Sequence, residues 1–260
     1  MDAYQSYRST ATIVFTTDVE WSPEWAIREL FALADSYEIP ITPFLTHRSE
    51  LLGRRLLSDG AARADAGVHP NFLAGSSHGS TTTEVIDTVR AIAPDASCFR
   101  AHCFSDDTRT LRALASRGFG YDSNALAFLQ PMIAPAVTAA GTLRFPVWWE
   151  DDVHSGFGLG WTLDLLRASL DAPGLKIVNV HPLRVALNVP NEKFYEAKRP
   201  LYGASDVDPT EHAHVGLGTR TLLEELFRFA TSDGRRPHRL REVHQRALDL
   251  GVGLQAVTGR

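Results

Sequence analysis

Asp18 and Glu20 stand two residues apart in Phe15-Thr16-Thr17-Asp18-Val19-Glu20-Trp21, at the end of an apolar, β-branched run. In an extended segment this spacing points both carboxylates to one side, so a metal ligand and a general base could sit together. Acids at the start of a helix, favoured by its dipole, are the plainer alternative. A second group, Gly67-Val68-His69-Pro70-Asn71-Phe72-Leu73-Ala74-Gly75-Ser76-Ser77-His78-Gly79, carries two histidines on a loop rich in Pro, Gly and Ser. Pro70 bars a helical i, i+4 ligand pair, but a loop that folds back could bring both imidazoles to one ion. Two surface histidines would look the same in sequence.

Phe99-Arg100-Ala101-His102-Cys103 offers a guanidinium that could orient a carboxylate. Tyr121-Asp122-Ser123-Asn124 and Val178-Asn179-Val180-His181-Pro182 follow, the last placing a histidine directly after an apolar strand. An imidazole there is easily tuned near neutrality. Trp148-Trp149-Glu150-Asp151-Asp152-Val153-His154 adds aromatics that could stack on a sugar face, or a core pair followed by a solvated acidic turn.

These groups need a scaffold that gathers strand ends. Ala11 to Thr17 reads as a buried strand, Glu24 to Ser36 as a helix, Ile39 to Thr46 as a strand and Ser49 to Leu57 as a helix. The alternation continues with a strand ending near His69, a helix over Thr81 to Ile92, a strand over Ser97 to Ala101, a helix over Asp107 to Ser116 and a strand entering at Phe119. Gly174 to Val180 is the clearest late strand, and Thr219 to Ala230 and Arg239 to Leu250 are the last helices. Strand-helix alternation with short connections implies a mostly parallel α/β sheet, whose sites lie at the strand ends. No repeat or linker divides residues 1–260, which read as one domain.

The order Thr-Thr-Asp-Val-Glu, Gly-x-His-Pro-Asn-Phe with a later Ser-Ser-His-Gly, Arg-x-His, Tyr-Asp-Ser-Asn and Asn-x-His-Pro resembles the NodB-homology polysaccharide deacetylases, carbohydrate esterase family 4. The closest resemblance is to the cytosolic WbmS-like branch, and it spans about Thr12 to Asn188. It implies a distorted (β/α) barrel with about seven strands and one divalent metal, usually zinc. By motif, Asp18 matches the catalytic base, Glu20 the metal carboxylate, His69 the first histidine ligand and His78 the second. Arg100 matches the residue that orients the base, and His181 the catalytic acid; Asn179 stands where the family has Leu. His102 replaces a proline and, with Trp149 and Asn124, is assigned to substrate binding. The chemistry implied is metal-assisted amide hydrolysis of an N-acyl sugar. Deformylation, cyclic-amide hydrolysis and non-catalytic glycan binding are the alternatives.

Composition bounds the partners. At 260 residues, 28.6 kDa, 44% hydrophobic and 22% charged, with mean hydropathy of -0.13, the chain is globular and has no apolar run long enough to span a membrane. A net charge of -5 gives no field that would attract nucleic acid. Met1 to Arg8 lacks the basic start and apolar stretch of an export signal, and Cys98 and Cys103 suit reduced thiols, so the expected compartment is the cytoplasm. The expected substrate is accordingly small or carrier-linked. Lys193, Lys198 and Arg199, in the polar connection from Pro182 to Gly218, are read as partners for an anionic carrier.

Overall fold

The computed structural model describes residues 10–58 and 65–252; Met1 to Arg8, on which the export reading rests, lies outside them. The strands are β1 (Ala11–Asp18), β2 (Ile41–Leu45), β3 (Gly67–Val68), β4 (Cys98–Phe99), β5 (Tyr121–Asp122), β6 (Ala136–Val137), β7 (Leu143–Arg144), β8 (Val147–Glu150) and β9 (Gly174–Val180). They form one nine-stranded sheet in the order β6-β7-β5-β4-β3-β2-β1-β9-β8. Every pairing is parallel except that of β6 with β7. β1 and β9 are near-continuous apolar runs because both faces are covered, the pattern of a central parallel strand.

Beyond β5 the chain runs alongside β8. Val147 N donates to Ala125 O, Ala127 N to Val147 O and Leu129 N to Trp148 O, each at 2.8 Å. These bonds join the two flanks and curl the sheet into the expected distorted barrel. The sheet has nine strands where about seven were expected, counting the two-residue β6 and β7.

The helices are α1 (Glu24–Ser36), α2 (Glu50–Ser58), α3 (Thr82–Ile92), α4 (Thr108–Ser116), α5 (Asp151–Gly156), α6 (Leu163–Asp171), α7 (Pro182–Ala186), α8 (Glu192–Lys198), α9 (Thr219–Thr231) and α10 (Leu240–Asp249). Helix α1 buries Ile27, Leu30, Phe31 and Ala34 at helical spacing against the sheet. A capping box between Thr81 and Glu84 starts α3. The connection after His181, which sequence alone leaves without elements, holds α7 and α8. Residues of α7 pack on Trp25 and Ala26 in a satellite core, with Phe194 and Tyr195 of α8 against it. No helix among the described residues is long and apolar enough to cross a membrane.

One glycine is needed for the strands to close up at the site. A Cβ on Gly67 would come within 2.6 Å of the Phe44 ring and 2.8 Å of Cys98 Sγ, so a larger residue would push β3 away from its neighbours.

Asp65, just before β3, is fully buried. It accepts hydrogen bonds from Thr42 Oγ1 and from Arg241 N (2.8 Å) in the first turn of α10. Burial pushes its pKa up to about 6, against the opposing pull of those donors. The folded state thus favours the protonated acid. The associated stability is present below pH 4 and is lost as pH rises through about 6, a loss of about 3 kcal/mol for a two-unit shift. Asp65→Asn cannot ionise, so its unfolding free energy is expected to fall less than wild type between pH 4.5 and 7.5, as read by urea denaturation. An unchanged pH dependence would contradict this.

Candidate active site

Because the strands are parallel, β1, β3, β4, β8 and β9 end on one edge, and their last or next residues face one cavity of about 410 Å³. Ladder bonds that run past the strands set the stagger. Val19 N donates to Phe44 O (3.1 Å), His69 N to Leu45 O (2.8 Å) and Arg100 N to Val68 O (3.0 Å). Asp18, Glu20, His69, His102, Glu150 and His181 all line the cavity.

Asp18 is buried and held from two sides. Arg100 Nη1 donates to its Oδ1 (2.9 Å) and Asn179 Nδ2 to its Oδ2 (2.9 Å). Arg100 is itself fully buried, donating from Nε to Ser123 O (2.9 Å), from Nη2 to Ser123 Oγ (2.8 Å) and from Nη1 to Asn179 Oδ1 (2.5 Å). Its guanidinium lies 4.4 Å over the Phe44 ring. Asn179 also donates to Glu150 Oε1 (2.7 Å). One amide therefore ties two carboxylates and a guanidinium together, a role a Leu at that position could not fill. Burial raises the pKa of Glu150 well above the usual carboxylate range, and Asp152 adds to the shift.

Glu20 sits among three imidazoles. Its Oε1 is 2.8 Å from His102 Nδ1 and 3.7 Å from His69 Nε2, and its Oε2 is 3.7 Å from His181 Nε2. Burial works against its charge, but His181, His102 and His69 together hold its pKa well below the ordinary value. The turns that carry these groups are strained. Glu20 and Trp21 have φ of 44° and 55°, and Cys103 and Phe104, just after His102, have φ of 56° and 50°. Left-handed backbone at such residues costs of order 1–3 kcal/mol each and tends to persist where a site requires it.

His69 is 1% exposed, yet neither ring nitrogen makes a hydrogen bond; Asp18 Oδ1 and Glu20 Oε1 are 3.5 and 3.7 Å away. Buried imidazole nitrogens are normally satisfied, so an orphaned pair facing two carboxylates is the donor arrangement a cation completes. Glu20, His69 and His102 offer ligand atoms that all lie within 4.8 Å of one another, and this set fits a divalent metal. Asp18, Glu150 and His181 form a second such group.

His181 Nδ1 is 2.6 Å from Asp151 Oδ1, and His181 N donates to Asp151 Oδ2 (3.0 Å). Burial opposes the imidazolium, but Asp151 and Glu20 outweigh it and raise the pKa well above the ordinary histidine value. The ring is held charged with Nε2 toward the cavity.

Three expectations from sequence are corrected. His78 contributes no ligand atom to the group formed by Glu20 and His69. Its Nδ1 accepts from Asn71 N (3.1 Å) and its Nε2 donates to Thr46 O (2.8 Å), so both nitrogens are spent on fastening the loop to the end of β2. His102, assigned to substrate, occupies that place instead. Trp149 is fully buried and donates from Nε1 to His154 Nδ1 (3.0 Å), which leaves no face for a sugar. Asn124 is buried as well, accepting from Ala101 N (2.9 Å) and donating to Ser105 O (3.2 Å) to brace the turn that carries His102. Sequence reasoning left Glu150 and Asp151 in a solvated acidic turn; the run of acids directly after Val-Trp-Trp was the available signal.

Comparison with known proteins places the fold. A crystal structure of a Bordetella bronchiseptica protein, WbmS, described as a polysaccharide deacetylase involved in O-antigen biosynthesis, is 26% identical, with a TM-score of 0.72 over 83% of this chain and 89% of that one. The peptidoglycan N-acetylglucosamine deacetylase Bc1960 is more distant, at 11% identity and a TM-score of 0.48 over 92% of this chain and 90% of that one. A mutant of BA3943, a CE4 family pseudoenzyme, is at 12% and 0.43 over 91% of this chain and 68% of that one. No curated protein matches. The family model for WbmS-like polysaccharide deacetylases matches residues 15–199, a span that covers most of the chain and includes the cavity-lining positions, so the protein belongs to that family.

Proposed function

We propose that the protein is a metal-dependent hydrolase that removes an acyl group, N-acetyl in the first instance, from a sugar or sugar-linked intermediate of glycan assembly in the cytoplasm. The observation that carries this reading is the orphaned His69 beside Glu20 and His102, with a buried, doubly anchored Asp18 next to it. Glu20, His69 and His102 would hold the ion, and two imidazoles with one carboxylate suit zinc. A divalent ion supplies Lewis acidity, acidifying water and polarising an acyl carbonyl.

The remaining chemistry belongs to the chain. Asp18 takes the proton of the attacking water, its carboxylate turned by Arg100 and Asn179 toward the cavity. His181, charged and fixed by Asp151, donates from Nε2 to the leaving nitrogen, so the amine departs neutral. Phe104 and Leu126 give the cavity apolar surface. The test is acetate release from N-acetylated sugars by protein stripped with chelator and reloaded with zinc. Activity that is lost on stripping and restored on reloading supports the reading. Sugar binding with no acyl release in either form would replace it with non-catalytic glycan binding.

A further inference from the structure

The cavity's charge points to the class of sugar it takes, an inference that rests on the deacetylase reading above. Away from Glu20, its lining includes Asp152, Glu192 and Glu196, with Glu150 pushed by burial toward its neutral form. The cationic His181 is paired with Asp151, and Arg184, the one arginine or lysine among the lining residues, is already committed as well. It makes a two-pronged bond to Glu192, Nη1 to Oε1 at 2.8 Å and Nη2 to Oε2 at 2.9 Å, with its guanidinium 3.9 Å over the Tyr195 ring. Helix α8 turns Glu192, Tyr195 and Glu196 to the cavity, the spacing of one helical face. Lys193 and Lys198 are not on that face: Lys198 Nζ lies 5.7 Å over the Phe194 ring, and Arg199 pairs with Glu196 (3.2 Å). None of the basic residues that sequence offers to an anionic carrier lines the cavity, and Arg199 reaches its rim only through Glu196, whose charge it offsets.

We propose that this lining selects an N-acyl sugar whose ring carries hydroxyl or ammonium donors, and no phosphate or carboxylate, within the cavity, with Asp152 and the Glu192–Arg184 pair as the discriminating groups. Carboxylates accept hydrogen bonds from hydroxyls and ammonium groups and repel an anion. Arg184 is buried and can meet an anion only by giving up its two-pronged bond to Glu192, the half-exposed partner of the pair. An anionic carrier must therefore lie outside the cavity mouth.

The test uses zinc-loaded protein and a matched set of probes: the methyl glycoside of N-acetylglucosamine, the same compound with phosphate at C3, C4 or C6, and the same with an amino group at those positions. Binding is read by calorimetry and hydrolysis by acetate release. Phosphate at any of the three positions is expected to weaken binding at least about tenfold, and the amino group is not. Asp152→Asn, and separately Glu192→Gln, which loosens Arg184, should each narrow the phosphate penalty several-fold. Phosphorylated probes that bind as tightly as the parent, or a penalty unchanged in both variants, would overturn the inference while leaving the deacetylase reading intact. Failure of every probe to bind would overturn both.

Discussion

Asp18→Asn is expected to lower acetate release by about 10²–10⁴-fold while metal content stays at the wild-type level. The amide keeps an oxygen that can accept from Arg100, but it cannot take a proton from water. It also brings a new conflict, because Asn179 Nδ2 now donates to Asp18 Oδ2 and would meet an NH₂ group there. A donor facing a donor in a buried site costs about 1–3 kcal/mol, so the variant should also melt a few degrees lower. Glu20→Gln should instead lose metal and activity together. If Asp18→Asn stays active while Glu20→Gln keeps metal and is inactive, the two carboxylates have exchanged roles.

The second large effect is on stability and does not depend on the catalytic reading. Arg100→Leu would leave Asp18 buried with no guanidinium against it and strip partners from Ser123 and Asn179. Removing one member of a buried ion pair costs about 3–5 kcal/mol, a large part of the 5–15 kcal/mol available to a domain. The urea midpoint should fall accordingly. The double variant Asp18→Asn with Arg100→Leu should lose less than the sum of the two singles, since it removes the uncompensated charge. A loss under about 1 kcal/mol for Arg100→Leu would mean that Asp18 does not rely on it.

Much of the scaffold was legible because its signals are local. The apolar runs of β1 and β9 and the helical spacing of α1 and α9 need no tertiary information to be read. β8 was harder. Val-Trp-Trp-Glu is a buried strand whose side chains alternate, so Trp149 enters the core while its neighbour Glu150 faces the cavity. Sequence gave the sugar-facing role to the aromatic, one residue from the group that lines the site. The positions of Asp18, Glu20, His69, Arg100 and His181 at strand ends were legible, since a parallel sheet puts those ends on one edge. Sequence preferred His78 to His102 because motif spacing carries no record of backbone partners. Only the fold reveals that Asn71 N and Thr46 O use both His78 nitrogens, and that the left-handed turn at Cys103 and Phe104 follows directly on His102. The polar pattern of α8 likewise does not say which of its faces turns inward.

The cation site is tested most directly by zinc content per chain after equilibration in limiting metal, measured side by side for His102→Ala and His78→Ala. Ligation by Glu20, His69 and His102 predicts that His102→Ala binds at least about 100-fold more weakly and emerges nearly metal-free, while His78→Ala, folded and with its loop loosened, keeps close to one zinc. A His78→Ala protein without metal beside a fully loaded His102→Ala would contradict it.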